Sequence, residues 1–262
     1  VISIIMIIIG VLLTAGTITW IGLNNWDVER SYQRIVDRMN QTNEQSPPEH
    51  VDGDDDSLHT EQRPEEDVVD EETPTVEEAT QYIEGQELPE EPTFIEGILI
   101  ANKKHPLPST FAPGESAEAR EAFDKMAAAA LLEDYALIAF STYRSFEYQT
   151  GLYERYVERD GVEEADRYSA RPGYSEHQTG LAFDIGEVNQ EQHFASASFG
   201  DTEAGKWLAE NAHLYGFIMR YPEGKEQITG YMYEAWHFRY VGVEIAKDIY
   251  ENNGTLEEYL GL

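Results

Sequence analysis

The chain has 262 residues, with 51 acidic against 18 basic side chains, a formal net charge of -33 and no cysteine. Disulfides and cysteine-based zinc modules are excluded, and so is a nucleic-acid partner, whose phosphates this charge would repel.

Residues 1–23 carry no charged side chain and are mostly Ile, Val, Leu, Met, Ala, Gly and Thr. As a helix this run crosses a hydrocarbon core of about 30 Å, so a transmembrane anchor is expected. A cleaved signal peptide is the alternative. Against it stand an apolar run longer than the usual core of about 7–15 residues and the lack of an A-x-A site. Arg30, Arg34 and Arg38 follow the run and by the positive-inside rule favour a cytoplasmic remainder. The chemistry read below outweighs that local bias and favours an extracytoplasmic domain.

Residues 24–92 read as an acidic, disordered spacer. From Glu44 to Glu91 the chain is dominated by Asp and Glu, is broken by Pro47, Pro48, Pro64, Pro74 and Pro89, and holds Arg63 as its sole Lys or Arg. Too little apolar surface is present to offset the entropy of ordering it.

Residues 93–262 form the expected globular domain. Strands are predicted over Ile98–Asn102, Leu137–Tyr143, Leu181–Ile185, Phe217–Tyr221 and Trp236–Tyr240. Helices are predicted over Ala117–Glu133, Glu147–Arg159, Glu203–Tyr215 and Val243–Asn252, the last stopped by Asn253-Gly254. Helices and short strands mixed without a repeating β-α unit indicate an α+β fold.

Within this domain Ser175-x-His177-x-x-Gly180-x-Ala182-x-Asp184 is followed by Glu234-x-Trp236-His237. Two histidines and one aspartate suit a catalytic zinc, which takes three protein ligands and leaves a position for water. Glu234 supplies the carboxylate that would take a proton from that water. Strand parity places Asp184 and His237, with Arg239, opposite a core face of Leu181, Phe183, Ile185, Trp236, Phe238 and Tyr240. Glu234 shares parity with Trp236, so it must precede the strand or the backbone must be irregular there. His50, His59, His105, His193 and His213 lack partners at useful spacing, and there is no His-Glu-x-x-His helix.

These motifs, with Ile98-Leu99-Ile100-Ala101-Asn102-Lys103 and Thr142-Tyr143-Arg144-Ser145-Phe146-x-x-Gln149, resemble the VanY-type D-alanyl-D-alanine carboxypeptidases. That group belongs to a superfamily with lysostaphin-type enzymes, D-Ala-D-Ala dipeptidases and the hedgehog signalling domain. The resemblance covers the globular part and none of the first ninety residues. It implies a small antiparallel sheet flanked by helices, zinc held by His177, Asp184 and His237, and Glu234 as general base. It further implies that Arg144 steadies the scissile carbonyl as it becomes an oxyanion, and that Ser175, Gln149 and Arg171 hold the peptide terminus. Tyr174 and Trp236 are pocket-lining candidates, Trp236 equally a core residue. The implied activity is removal of the terminal D-Ala from peptidoglycan stem peptides by a membrane-tethered enzyme facing the cell wall. L,D-carboxypeptidase, dipeptidase or endopeptidase action, and a non-catalytic zinc-containing peptidoglycan-binding module, remain alternatives.

Overall fold

The computed structural model describes residues 79–262. The expected anchor at residues 1–23 and the spacer as far as residue 78 lie outside the described residues. Among those described, no helix is long and apolar enough to cross a membrane.

The fold is α+β. A short hairpin of β1 (Phe94–Ile95) and β2 (Ile98–Leu99) comes first. The main sheet contains β3 (Leu137–Ser141), β4 (Ala182–Glu187), β5 (Phe217–Met219) and β6 (His237–Tyr240), in the order β3-β4-β6-β5 and antiparallel throughout. Helix α1 (Ala117–Leu131) starts at Ser116, whose hydroxyl accepts from the Ala119 amide. It buries Ala119, Phe123, Met126 and Ala130, a helical stripe, against Phe183 and Ile185 of β4, Phe217 of β5 and Phe238 of β6. Helix α2 (Phe146–Asp160) is capped by Ser145, and α3 (Val162–Tyr168) follows directly. Helix α4 (Glu203–Asn211) packs in the same core through Ala204, Trp207 and Leu208.

A second cluster joins Ile100 and Ile218 to Ala246 and Ile249 of α6 (Val243–Glu251) and to Leu256 of α7 (Leu256–Leu260). Ile218 alternates with Phe217 along β5, so this cluster and the first cover opposite faces of the sheet. A one-turn helix, α5 (Glu226–Thr229), precedes the final strand.

Three sequence expectations shift. The Leu181–Ile185 strand begins at Ala182 and runs to Glu187, leaving Leu181 packed beside the core from outside the sheet. The last strand begins at His237, because Ala235 and Trp236 form a turn. The ordered domain also starts before residue 93. Tyr82 lies edge-on to Tyr174 at 4.9 Å and accepts from the Arg171 amide at 3.0 Å, while Gln86 donates to the Lys104 carbonyl. The acidity of the surrounding stretch hides these few packing residues.

Candidate metal centre

Asp184 lies in the middle of β4, directly opposite His237 of β6 on one side and Ser141 of β3 on the other. Paired residues share a sheet face, so the ladder itself brings the carboxylate and the imidazole together. His177 arrives from a 3-10 turn, Glu176–Thr179, that ends at Gly180 in the left-handed region (φ 74). Gly180 is required there twice over, since a Cβ would also stand 2.0 Å from the Gly114 carbonyl oxygen.

The donor atoms converge. His177 Nε2 is 3.2 Å from Asp184 Oδ2, and His237 Nδ1 is 3.1 Å from Asp184 Oδ1. The two imidazole planes are nearly perpendicular, with centroids 4.9 Å apart. All three residues are buried, and one ligand atom from each lies within 4.8 Å of the others. Tetrahedral zinc with bonds of about 2.0–2.1 Å separates its ligand atoms by about 3.3 Å, so the donor set fits that ion in kind and spacing. Each ring is oriented through its other nitrogen. His177 Nδ1 donates to the Thr142 carbonyl at 2.5 Å, leaving Nε2 as the ligand atom, and His237 Nε2 faces Glu176 Oε2 at 3.4 Å, leaving Nδ1.

The sequence motifs do not single out Glu176, yet it organises the base of the centre. Its Oε1 accepts from Arg220 Nε and Arg239 Nη1, both at 2.8 Å. Arg220 is also held by Glu257, which accepts from Asn102 as well. Burial alone would raise the Glu176 carboxyl, but Arg220 and Arg239 outweigh it and hold it far below its usual range.

Glu234 precedes the Ala235–Trp236 turn rather than continuing the strand, and the His237 amide donates back to its carbonyl at 3.4 Å. That turn removes the parity conflict. Glu234 Oε2 lies 3.6 Å from His237 Nδ1, on the side of the imidazole that faces Asp184. Burial pushes the Glu234 carboxyl up to about 8. Burial, with Arg144 nearby, pulls His177 down to about 4, which keeps it neutral as a ligand must be. Burial works against charge on His237 too, but the hydrogen bonds to Asp184 and Glu176 outweigh it and raise it to about 9. Asp184 and Glu176, both held ionised against the two imidazoles, make a centre that favours a cation.

Arg144 reaches this centre. Its Nη2 donates to Asp184 Oδ2 at 2.6 Å, and Nε and Nη2 both donate to Ser141 Oγ. Ser175 is buried at the N-terminal end of the 3-10 turn without capping it. Gln149 is buried on α2, where Nε2 donates to the Ala170 carbonyl at 2.7 Å and so fixes the loop leading to Ser175. Arg171 behaves differently. Its guanidinium is taken by Asp166 and lies over the Tyr82 ring at 4.2 Å, so it joins a cavity wall rather than the metal-ligand cluster. Tyr174 lines the same cavity, and Trp236 packs at the edge of the main core.

Comparison with known proteins gives a consistent result. Residues 114–243 match the family model described as VanY, D-alanyl-D-alanine carboxypeptidase. The chain is 40% identical over 196 residues to the putative carboxypeptidase YodJ of Bacillus subtilis, covering 68% of this chain and 71% of that relative. Among solved structures, the L,D-carboxypeptidase DacB of Streptococcus pneumoniae is 46% identical with a TM-score of 0.57, over 63% of this chain and 86% of its own. A mutant of the vancomycin-resistance D,D-pentapeptidase VanY from a VanB-type cassette, solved in complex with Zn(II), is 32% identical with a TM-score of 0.52, over 62% and 97%.

Proposed function

The chain belongs to the VanY family of D-alanyl-D-alanine carboxypeptidases and is a zinc-dependent peptidase, and from that premise we propose that it removes the terminal D-Ala from peptidoglycan stem peptides. The observation that carries this reading is the placement of Glu234. A buried carboxyl group stands 3.6 Å from the ligand nitrogen of His237, beside the triad but outside it.

His177, Asp184 and His237 would hold the metal. When bound, zinc lowers the pKa of a water molecule toward about 7 and polarises the peptide carbonyl. Glu234 would take a proton from the attacking water and return it to the leaving amine. Arg144, fixed by Ser141, offers its guanidinium to the carbonyl oxygen as negative charge develops there. Ser175 and Gln149 would receive the terminal carboxylate. The apolar run at residues 1–23 and the acidic stretch after it would tether this domain outside the cell membrane and let it reach the wall.

L,D-cleavage is a second reading, favoured by the 46% identity to an L,D-carboxypeptidase. One experiment separates the two. Mass spectrometry of products from a pentapeptide and a tetrapeptide stem should show D-Ala released from the pentapeptide; release from the tetrapeptide alone would establish L,D-cleavage instead. Glu234→Gln should bind zinc and peptide yet lose at least about 10²–10⁴-fold in turnover. Wild-type turnover in that variant would end the general-base assignment.

A further inference from the structure

On the metal-bearing face of the main sheet, a small apolar surface adjoins the ligands and takes no part in the chemistry above. Alternation along β4 puts Gly186 on the same face as Asp184, two residues and about 7 Å further along the strand. A Cβ on Gly186 would stand 2.4 Å from Cε1 of Phe194, so the Phe194 ring covers that position. Phe140 stacks on Phe194, with ring centres 4.4 Å apart and planes 9° from parallel. Phe140 occupies the bulge between Ala139 and Ser141, an irregularity that re-aims a side chain beside a site. Ser141, the next residue, pairs with Asp184 and holds Arg144.

Ile138 pairs with Gly186 across the ladder, so it shares this face, and it is 40% exposed. Val188, whose amide donates to the Ala136 carbonyl, continues the alternation of β4 and is 42% exposed. Phe140 and Phe194 are half-buried. None of these four side chains belongs to the apolar clusters that pack the sheet against its helices. Apolar side chains gathered outside the core and beside a catalytic centre mark a binding surface.

We propose that Phe140 and Phe194, with Ile138 and Val188 beside them, form a platform for the aliphatic side chain of the third stem-peptide residue, on the N-terminal side of the cleaved bond. The inference rests on the function proposed above and names which part of that substrate is read. The polarity of the sheet supports it. β3 and β4 are antiparallel, so the end of β3 lies beside the start of β4. Ser175 and the His177 turn precede β4 at that end, and Arg144 and the first turn of α2, with Gln149, follow β3 there. The Arg144 amide donates to the His177 carbonyl at 3.2 Å and ties the two segments together. Gly186 and Ile138 lie at the opposite end, beyond Asp184. A peptide whose terminal carboxylate points toward Ser175 and Gln149 thus runs its preceding residues over the platform. Consecutive Cα atoms are about 3.8 Å apart, so a residue one or two positions before the cleaved bond spans the distance from Asp184 to Gly186.

Two pentapeptides test this, identical except that the third residue is norleucine or alanine, which differ in aliphatic length and not in charge. Binding is measured by calorimetry on the zinc-loaded full chain carrying Glu234→Gln, which prevents turnover. The norleucine peptide should bind about tenfold more tightly, as half-burial of its extra methylenes supplies. Adding Phe140→Ser, a change on an edge strand, should reduce the ratio to about threefold, and adding Phe194→Ser as well should bring the two affinities together. Because the readout is a ratio within one protein, general damage does not imitate it. Equal affinities before either Phe is changed, no binding of either peptide, or a ratio that Phe140→Ser leaves unchanged would overturn the platform. Release of D-Ala by the parent protein is scored separately, so failure of the proposed activity is distinguishable from failure of this inference.

Discussion

At the scale of single residues, the types and spacing of His177, Asp184 and His237 are legible in the sequence because metal chemistry admits few donors. What orients them is not. Glu176 reads as an unassigned position between Ser175 and His177, and its partners Arg220 and Arg239 lie 44 and 63 residues away in the chain. Only the folded sheet brings them together. Glu176 faces the non-ligating nitrogen of His237 and balances two buried guanidinium groups, so it both aims the ring and neutralises the floor of the site. Glu176→Gln should weaken zinc binding by about 10–100-fold, the usual effect of removing such an outer partner. It should also destabilise the fold by about 3–5 kcal/mol, since buried positive charge loses its counter-ion. Competition with a chelator and urea denaturation read the two effects. Unchanged zinc affinity would show that His237 is oriented by its strand alone.

Elements are legible in proportion to their length. Helices α1 and α2 announce themselves by periodic burial and by Ser116 and Ser145 at their starts. Helices α3, α5 and α7 have seven, four and five residues, too few for a period to show. The 3-10 turn that carries His177 reads as a loop in the sequence for the same reason. Its geometry depends on Gly180, where positive φ coincides with close approach to Gly114, and where the Gly180 carbonyl accepts from the Ser116 amide at the start of α1. Gly180→Ala should therefore cost clearly more than about 1 kcal/mol. Gly224→Ala is the internal control, because that residue also has positive φ (77) but nothing within 4 Å of an added Cβ. Chemical denaturation of both variants should place Gly180→Ala well below Gly224→Ala in stability. Equal losses would mean that backbone conformation alone, rather than packing against Gly114, governs the turn.

For the whole molecule, composition marks the acidic N-terminal region as unable to build a core and puts the start of the domain at residue 93. The structure brings residues 79–92 into the domain, since average acidity says nothing about one or two well-placed aromatic side chains. Tyr82 is the decisive one. Its ring packs against Tyr174, its hydroxyl pairs with Tyr231 at 3.2 Å and accepts from the Arg171 amide, and the Thr80 carbonyl takes a hydrogen bond from Lys103. A fragment beginning at Thr93 would uncover Tyr174 and Tyr231 and leave Lys103 without that carbonyl. Losing one half-buried aromatic side chain costs up to about 1.5–3 kcal/mol, and each kcal/mol shifts Tm by about 2–4 °C in a domain of this size. The Thr93 fragment should thus melt up to about 3–12 °C below one beginning at Ala79, while both bind one zinc through the distant His177, Asp184 and His237. Scanning calorimetry of the two fragments checks this, with zinc content measured alongside. Identical melting temperatures would mean that residues 79–92 rest on the domain without supporting it.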